Sequence, residues 1–276
     1  MTSQFLPITK AEAAARGWDQ LDFVYIIGDA YVDHPSFGAA IISRVIESLG
    51  FSIGIISQPV SDRDYMEFGA PKYAFLVTGG NIDSMVAHYT AAKRKRSDDA
   101  YTPGGKAGRR PDRATIVYSR KLRQLYPDSP IVIGGLEASL RRFAHYDYWD
   151  DAVRPSILVD AQADLLLYGM GEKVIAQLTE QLKAIHEIRD IRGTCYLCTQ
   201  DEIPKDSVTC ASFHKVSENK ESYAKAHQIQ TEWQDAVYGK TIVQKQTNTG
   251  YLVQNPPMPS LTREELDRVF DLPFTR

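Results

Sequence analysis

Four short apolar runs constrain this chain more than any other feature, because each ends on glycine and leads into a helical pattern. Asp22 to Ile27 stops at Gly28, and Tyr73 to Val77 runs into Thr78-Gly79-Gly80. Pro130 to Ile133 runs into Gly134-Gly135, and Asp164 to Leu167 into Tyr168-Gly169-Met170-Gly171. Runs this short and rich in apolar residues read as strands buried on both faces. Ser52 to Ile56 is one more strand of this kind. Apolar residues at helical spacing lie between the runs: Ile41, Ile42, Val45, Ile46 and Leu49 before Gly50, then Arg113 to Tyr126 before Pro127. Val174, Ile175, Leu178, Leu182 and Ile185 mark a helix over Lys173 to His186. Further helices are expected from about Ile82 to Ala92 and from Glu137-Ala138-Ser139 onward. This alternation predicts an α/β fold built on a doubly wound, mostly parallel sheet.

Parallel strands point their carboxyl ends the same way, and ligands of such sheets sit outside those ends. Gly28, Gly79, Gly80, Gly134, Gly135, Gly169 and Gly171 should therefore share one rim. Asp33, His34, Ser36, Glu137, Ser139 and Glu172 belong to the same turns and complete a candidate cofactor-binding crevice. Tyr146, Tyr148 and Trp149, from the aromatic and acidic stretch His145 to Asp151, are expected to wall or roof it. Glycine lets a ligand approach the backbone, and the free N–H groups of a helix start favour an anionic or polar group. A Gly-Gly turn is also what a strand-to-helix connection needs with no ligand at all. Glu137, His145 and Asp147 admit an acid–base reading as well, beside a plainer one in which a helix face and an aromatic loop pack on a neighbouring domain. No residue of this chain is assigned a catalytic role.

The charge is unevenly placed. Lys93 to Arg113 carries eight basic residues against three acids, in a chain whose net charge is −3. Arg94, Arg96, Lys106, Arg109 and Arg110 make this loop a candidate contact for nucleic acid or another phosphate-bearing ligand. A solvated surface loop is the alternative. Thr102-Pro103-Gly104-Gly105-Lys106 lacks the spacing of a nucleotide-binding P-loop. Composition is that of an ordinary globular protein, 43% hydrophobic and 24% charged. No apolar run is long enough to span a membrane, and Met1 to Lys10 has no signal-peptide pattern. Three cysteines without framework spacing fit a reducing, cytoplasmic setting. Cys195-x-x-Cys198, with Cys210 and His214, has a spacing compatible with zinc, but the cysteines are read as structural and no metal ligand is assigned. They do not match an iron–sulfur pattern.

After Ile191 the chain turns polar. It holds one helical candidate, Lys220 to Tyr238, and an extended segment, Asn255 to Pro259. A capping box, Thr262-Arg263-Glu264-Glu265, opens a short helix. Residues 1–190 are expected to form the binding domain. Residues 191–276 are read as a polar C-terminal extension and linker, cut before the element it leads to.

Four segments resemble the N-terminal part of the YgiQ-type radical SAM proteins: D-A-Y-V-D-H-P-S-F-G (Asp29 to Gly38), S-D-D-A-Y-T-P-G-G-K-A-G-R-R-P-D-R-A (Ser97 to Ala114), G-G-L-E-A-S-L-R-R-F-A-H-Y-D-Y-W (Gly134 to Trp149) and S-I-L-V-D-A-Q-A-D-L-L-L-Y-G-M-G-E (Ser156 to Glu172). The resemblance covers essentially the whole chain. It implies a Rossmann-like, cobalamin-binding-type domain that precedes a radical SAM barrel in the same polypeptide. Such a barrel holds a 4Fe–4S cluster through C-x-x-x-C-x-x-C and cleaves S-adenosylmethionine. This chain has no such motif, so the resemblance puts the cluster, the S-adenosylmethionine and the catalysis beyond Arg276. The D-x-H-x-x-G pattern of His-ligated cobalamin is not met either. Asp33 and His34 are adjacent and Gly38 lies four residues after His34, which leaves open a corrin without a His ligand, or no corrin.

Overall fold

A computed structural model describes residues 5–181 and 188–275. Helix α1 (Lys10–Ala15) precedes strand β1 (Phe23–Ile27), followed by α2 (Gly38–Ser48), β2 (Ile53–Ser57), α3 (Asp62–Tyr65) and β3 (Ala74–Thr78). Next come α4 (Ser84–His88), α5 (Ala114–Leu125), β4 (Ile131–Gly134) and α6 (Gly135–Leu140). A hairpin, β5 (His145–Asp147) and β6 (Ala152–Arg154), leads to α7 (Ile157–Ala161), β7 (Leu165–Leu167) and α8 (Glu172–Glu180). The last part holds β8 (Thr194–Cys198), β9 (Val208–Thr209), α9 (Phe213–Glu218), α10 (Lys220–Glu232), β10 (Ile242–Lys245), β11 (Tyr251–Gln254) and α11 (Arg263–Phe270).

One nine-stranded sheet runs in the order β2-β1-β3-β4-β7-β8-β11-β10-β9. Its first five strands are parallel, from the pairing of β2 with β1 through that of β4 with β7. The apolar runs are buried along their length, as strands covered on both faces must be. A core fills each face: Val24, Phe75, Ile131 and Tyr118 on one, Phe23, Leu76, Val132 and Ile175 on the other. From β8 onward the direction changes. β8 is antiparallel to β7, β11 to β8 and β10 to β11. The polar segment after Ile191 thus contributes four more strands to the same sheet. At the outer side of β2, Ile55 N–H donates to the Pro7 carbonyl at 2.9 Å.

Several helices are shorter than their sequence patterns. α4 covers only Ser84–His88 of the Ile82 to Ala92 expectation, because Asp83 caps it and Tyr89 returns to extended backbone. α10 ends at Glu232 rather than Tyr238. α8 begins at Glu172 as read, but the part of that expectation over residues 182–186 lies outside the described residues. The Thr262 and Glu265 capping box is present and opens α11. No described helix is long and apolar enough to cross a membrane.

Candidate functional site

The chain leaves β1 for β2 on one side, and β3 joins β1 on the other, so the order of connection reverses between β1 and β3. This 2-1-3-4 order places a crevice at the carboxyl ends of those two strands. The backbones there nearly touch. A Cβ on Gly28 would lie 2.1 Å from the Gly79 carbonyl oxygen, so neither turn could carry a side chain at that contact. Gly80, at φ +113, would place a Cβ 2.0 Å from Asp29 Oδ1.

A cavity of about 350 Å³ opens at this point, between the strand ends and helices α2 and α8. Its walls are apolar, with Ile27, Leu76 and Val132 from the sheet, Ile41 and Ile42 from α2, and Ile175 from α8. Gly80, Gly134, Gly135, Gly169, Gly171 and Glu172 all line it. The Gly79-Gly80 and Gly134-Gly135 turns therefore sit at one end of the sheet, with Thr78 paired to Gly134 in register.

The polar groups of the slot are few. Asp29 is 3% exposed, and its Oδ2 accepts from Asn81 N at 2.7 Å. Arg110 Nη1 lies 2.9 Å from Asp29 Oδ1 in a buried ion pair and also donates to the Gly79 carbonyl. Burial pushes the Asp29 carboxyl up to about 6, against the Asn81 N–H and the Arg110 charge, which pull it down. Glu172 is 9% exposed, and its buried Oε2 has no hydrogen-bond partner among the described residues. An acceptor oxygen buried beside a largely apolar slot is costly unless something donates to it.

Other residues read as rim groups are engaged elsewhere. Asp33 is buried in a double hydrogen bond with Arg44, whose Nε donates at 3.1 Å, and it also accepts from Thr275 N and Oγ1 at 3.1 Å. Burial alone would raise its carboxyl, but these donors outweigh it and hold it below the usual range. His34 is outside the slot, and its Nδ1 accepts from Ser36 N at 3.1 Å. Ser36 contributes its carbonyl to Asn81 Nδ2. Gly79 lies behind the lining, with its carbonyl on Arg110. Ser139 Oγ accepts from Gly169 N at 3.3 Å and ties the two turns together. Glu137 points inward: Oε2 accepts from Ser84 N at 2.8 Å and Oε1 from Thr115 N at 2.9 Å, at the starts of α4 and α5.

The expectation that Tyr146, Tyr148 and Trp149 wall this crevice is corrected. The β5–β6 hairpin carries them into a second cleft, against α10, which shares no lining residue with the slot. The acid–base trio is divided too. Glu137 joins two helix starts, Asp147 pairs with Arg113 at 2.8 Å, and His145 Nδ1 donates to the Phe143 carbonyl. Burial, aided by the Arg141 charge, lowers the His145 imidazole to about 4.

In the basic loop, Arg110 is fully buried and forked onto Asp99, with Nη2 3.0 Å from each oxygen. Tyr101 O accepts from Ala30 N, and Thr102 Oγ1 from Gln58 Nε2, so the loop is strapped across the ends of β1 and β2. Arg94, Arg96, Lys106 and Arg109 are exposed. Cys195 and Cys198 point to opposite faces of β8, into different cores. Burial raises the Cys195 and Cys210 thiols to about 12. Among the described residues no group of three or more His, Cys, Asp or Glu is placed to hold a metal ion.

Sequence reasoning passed over Asp29, Asn81 and the slot walls. Asp29 directly follows Gly28 at a strand end, which was signal enough. Ile41, Ile42 and Ile175 looked like ordinary core stripes, and nothing in a stripe tells which part of it faces a void.

Fold and slot together define an open α/β domain of Rossmann-like architecture with a ligand-sized cavity at its topological switch point. The chain matches the Radical SAM N-terminal family over residues 5–276 and belongs to that family. It is 56% identical over 277 residues to a UPF0313 protein of Clostridium botulinum, covering 99% of this chain and 43% of that protein. It is 53% identical over 280 residues to a UPF0313 protein of Clostridium perfringens, covering 42% of it. The chain therefore spans less than half the length of these relatives. The radical S-adenosylmethionine methyltransferase TsrM of Kitasatospora setae, solved with tryptophan and a SAM analogue, overlaps 63% of this chain and 28% of its own, at TM-score 0.42 and 17% identity. Its structure with cobalamin and a 4Fe–4S cluster gives TM-score 0.40 and 19% identity.

Proposed function

We propose that this domain binds part of an organic cofactor in the slot between β1, β3, β4, α2 and α8, and serves a radical SAM barrel in the same polypeptide. The 4Fe–4S cluster and S-adenosylmethionine belong to that barrel. Family membership and the greater length of the relatives support the partnership. The observation that carries the binding role is Glu172, which lines a largely apolar cavity and whose buried Oε2 has no hydrogen-bond partner among the described residues.

A corrin fits this acceptor and these walls. Its amide arms bring an N–H donor for Glu172, and its apolar parts match Ile27, Ile42 and Leu76. When bound, it would supply a cobalt centre for methyl or electron transfer. The residues of this chain orient it, shield it from water and accept its hydrogen bonds. His34 fits no role as cobalt ligand, since it lies off the slot and its Nδ1 is occupied by the Ser36 N–H.

Titration of the chain with hydroxocobalamin, followed by calorimetry and by visible absorbance, tests the reading. Saturable binding is expected, weakened by Glu172→Ala and by Ile42→Trp, which fills the slot, and unchanged by His34→Ala. Absence of binding, or binding indifferent to Glu172→Ala and Ile42→Trp, would remove the slot from the proposal.

A further inference from the structure

The second cleft, about 610 Å³, lies between the β5–β6 hairpin and α10. It is separated from the slot by α6, a helix about 9 Å long. Three features set it apart from a packing defect. The first is the face that α10 turns to it. Tyr223, His227 and Gln230 recur every three or four residues on α10, and Gln234, two residues past its end, continues this polar stripe along the cleft, while Ala226, Ile229 and the C-cap Trp233 pack on the core. The side chains of His227, Gln230 and Gln234 make no hydrogen bond among the described residues.

The second is charge. Arg141 pairs with Asp83 and Asp147 with Arg113, while Arg142, which also lines the cleft, donates to Gln254 Oε1 and the Ser139 carbonyl and leaves one excess positive charge. His145 is neutral at physiological pH, and with its Nδ1–H on the Phe143 carbonyl it keeps Nε2 as an acceptor. The cleft interior therefore favours a group with electron-rich hydrogen-bonding edges and disfavours a cation.

The third is the aromatic wall. Tyr146 and Tyr148 are 48% and 47% exposed and line the cleft with large aromatic faces. Both are held in place: Tyr146 OH donates to Asp151 and Tyr148 OH to the Ala91 carbonyl, each at 2.6 Å. Trp149 packs edge-on to Tyr148 at 5.2 Å. Lys93 Nζ sits 4.7 Å over the Tyr148 ring and donates to the Trp149 carbonyl. The run Lys93-Arg94-Lys95-Arg96 therefore borders the aromatic wall, and all four residues are exposed.

We propose that this cleft binds a nucleobase together with its phosphate, the base stacked on Tyr146 and read by the α10 stripe, the phosphate held by Arg94 and Lys95. A planar ring with a polar edge matches the wall and the stripe, and an anionic tail matches the adjoining basic run. A free nucleotide and a single-stranded nucleic acid share this chemistry.

The 276-residue chain is titrated with a fluorescein-labelled single-stranded RNA of about ten nucleotides, read by anisotropy at low and at physiological salt. Unlabelled mononucleotides are then added as competitors. Displacement by mononucleotides identifies a free nucleotide as the source, and resistance to them identifies a strand. Tyr146→Ala should weaken binding about tenfold or more, from the value of one stacked base, with an unchanged circular dichroism spectrum. Arg94→Ala with Lys95→Ala should flatten the salt dependence. If Tyr146→Ala does not fold, His227→Ala with Gln230→Ala on the facing wall carries the same test. No binding at low salt, unchanged affinity in the cleft variants, or displacement of the RNA by an extended polar peptide overturns the proposal. None of these outcomes depends on whether the slot takes a corrin.

Discussion

Glu137→Gln tests whether a carboxylate beside a glycine turn holds the fold or waits for a ligand. Glu137 is 1% exposed, and its two oxygens take the N–H groups of Ser84 and Thr115 at 2.8 and 2.9 Å. These donors stand at the starts of α4 and α5, where backbone N–H groups have no partner within their own helix. Glutamine keeps one oxygen and turns its NH₂ onto the other N–H, donor against donor. The loss is one charge-assisted hydrogen bond, about 1.5–3 kcal/mol, and a buried N–H left unsatisfied, about 1–3 kcal/mol. Removing the negative charge from two helix N-termini adds about 0.3–1 kcal/mol each. The total is about 3–8 kcal/mol, or a fall in Tm of about 6–16 °C for a chain of this length. Urea unfolding at neutral pH, followed by circular dichroism with the m-value checked, gives the number. A loss below about 1 kcal/mol with an unchanged m-value would refute the bridging role. A change in ligand binding at full stability would return Glu137 to the site.

Gly135 sits at φ +82, and a Cβ there would meet Thr78 Oγ1 at 2.4 Å. Gly135→Val should therefore cost stability directly, about 2 kcal/mol or more, measured in the same urea series. A neutral result would remove the steric account of the turn. Asp29 has a folded pKa of about 6, above its unfolded value. The folded state then binds the extra proton, so wild type loses up to about 3 kcal/mol relative to Asp29→Asn as pH rises from about 4 to about 6. A carboxyl carbon titrating near 4 by NMR would contradict this. His145 behaves in the opposite sense, since burial lowers it to about 4. Its contribution is complete above about pH 6.5 and is lost as pH falls through about 4. Its imidazole resonances should show no titration near pH 6.5, and His145→Gln should flatten the acid limb of the stability curve.

The parallel half of the sheet was readable because its strands are buried on both faces, so hydrophobicity alone marks β1, β2, β3, β4 and β7. The antiparallel half was not, and three glutamines explain why. Gln244, Gln246 and Gln254 are buried on β10, β11 and the turn between them. Gln244 Oε1 accepts from Ala144 N and Gln246 Oε1 from Ser156 N, so these side chains satisfy the backbone on either side of the β5–β6 hairpin. In sequence they read as a polar surface, because their partners lie about a hundred residues away. The same limit applies to the site. The glycine turns were placed at one rim by topology, whereas the inward turn of Glu137 and the burial of Arg110 depend on tertiary partners. The aromatic stretch drew attention as a binding surface, but its hairpin decides which cavity it serves.

A sheet of nine strands has two edges, each a row of backbone groups able to template another chain. At one edge, the N–H of Ile55 in β2 is taken by the carbonyl of Pro7, and proline has no N–H to pass on. At the other, β9 is only two residues long, too short to seed a ladder. The consequence is colloidal. Strand-to-strand self-association is blocked at both ends by backbone chemistry rather than by surface charge, which at −3 gives weak repulsion. Pro7→Val would restore a donor beside β2, and the chain should then form oligomers at high protein concentration that added salt does little to change.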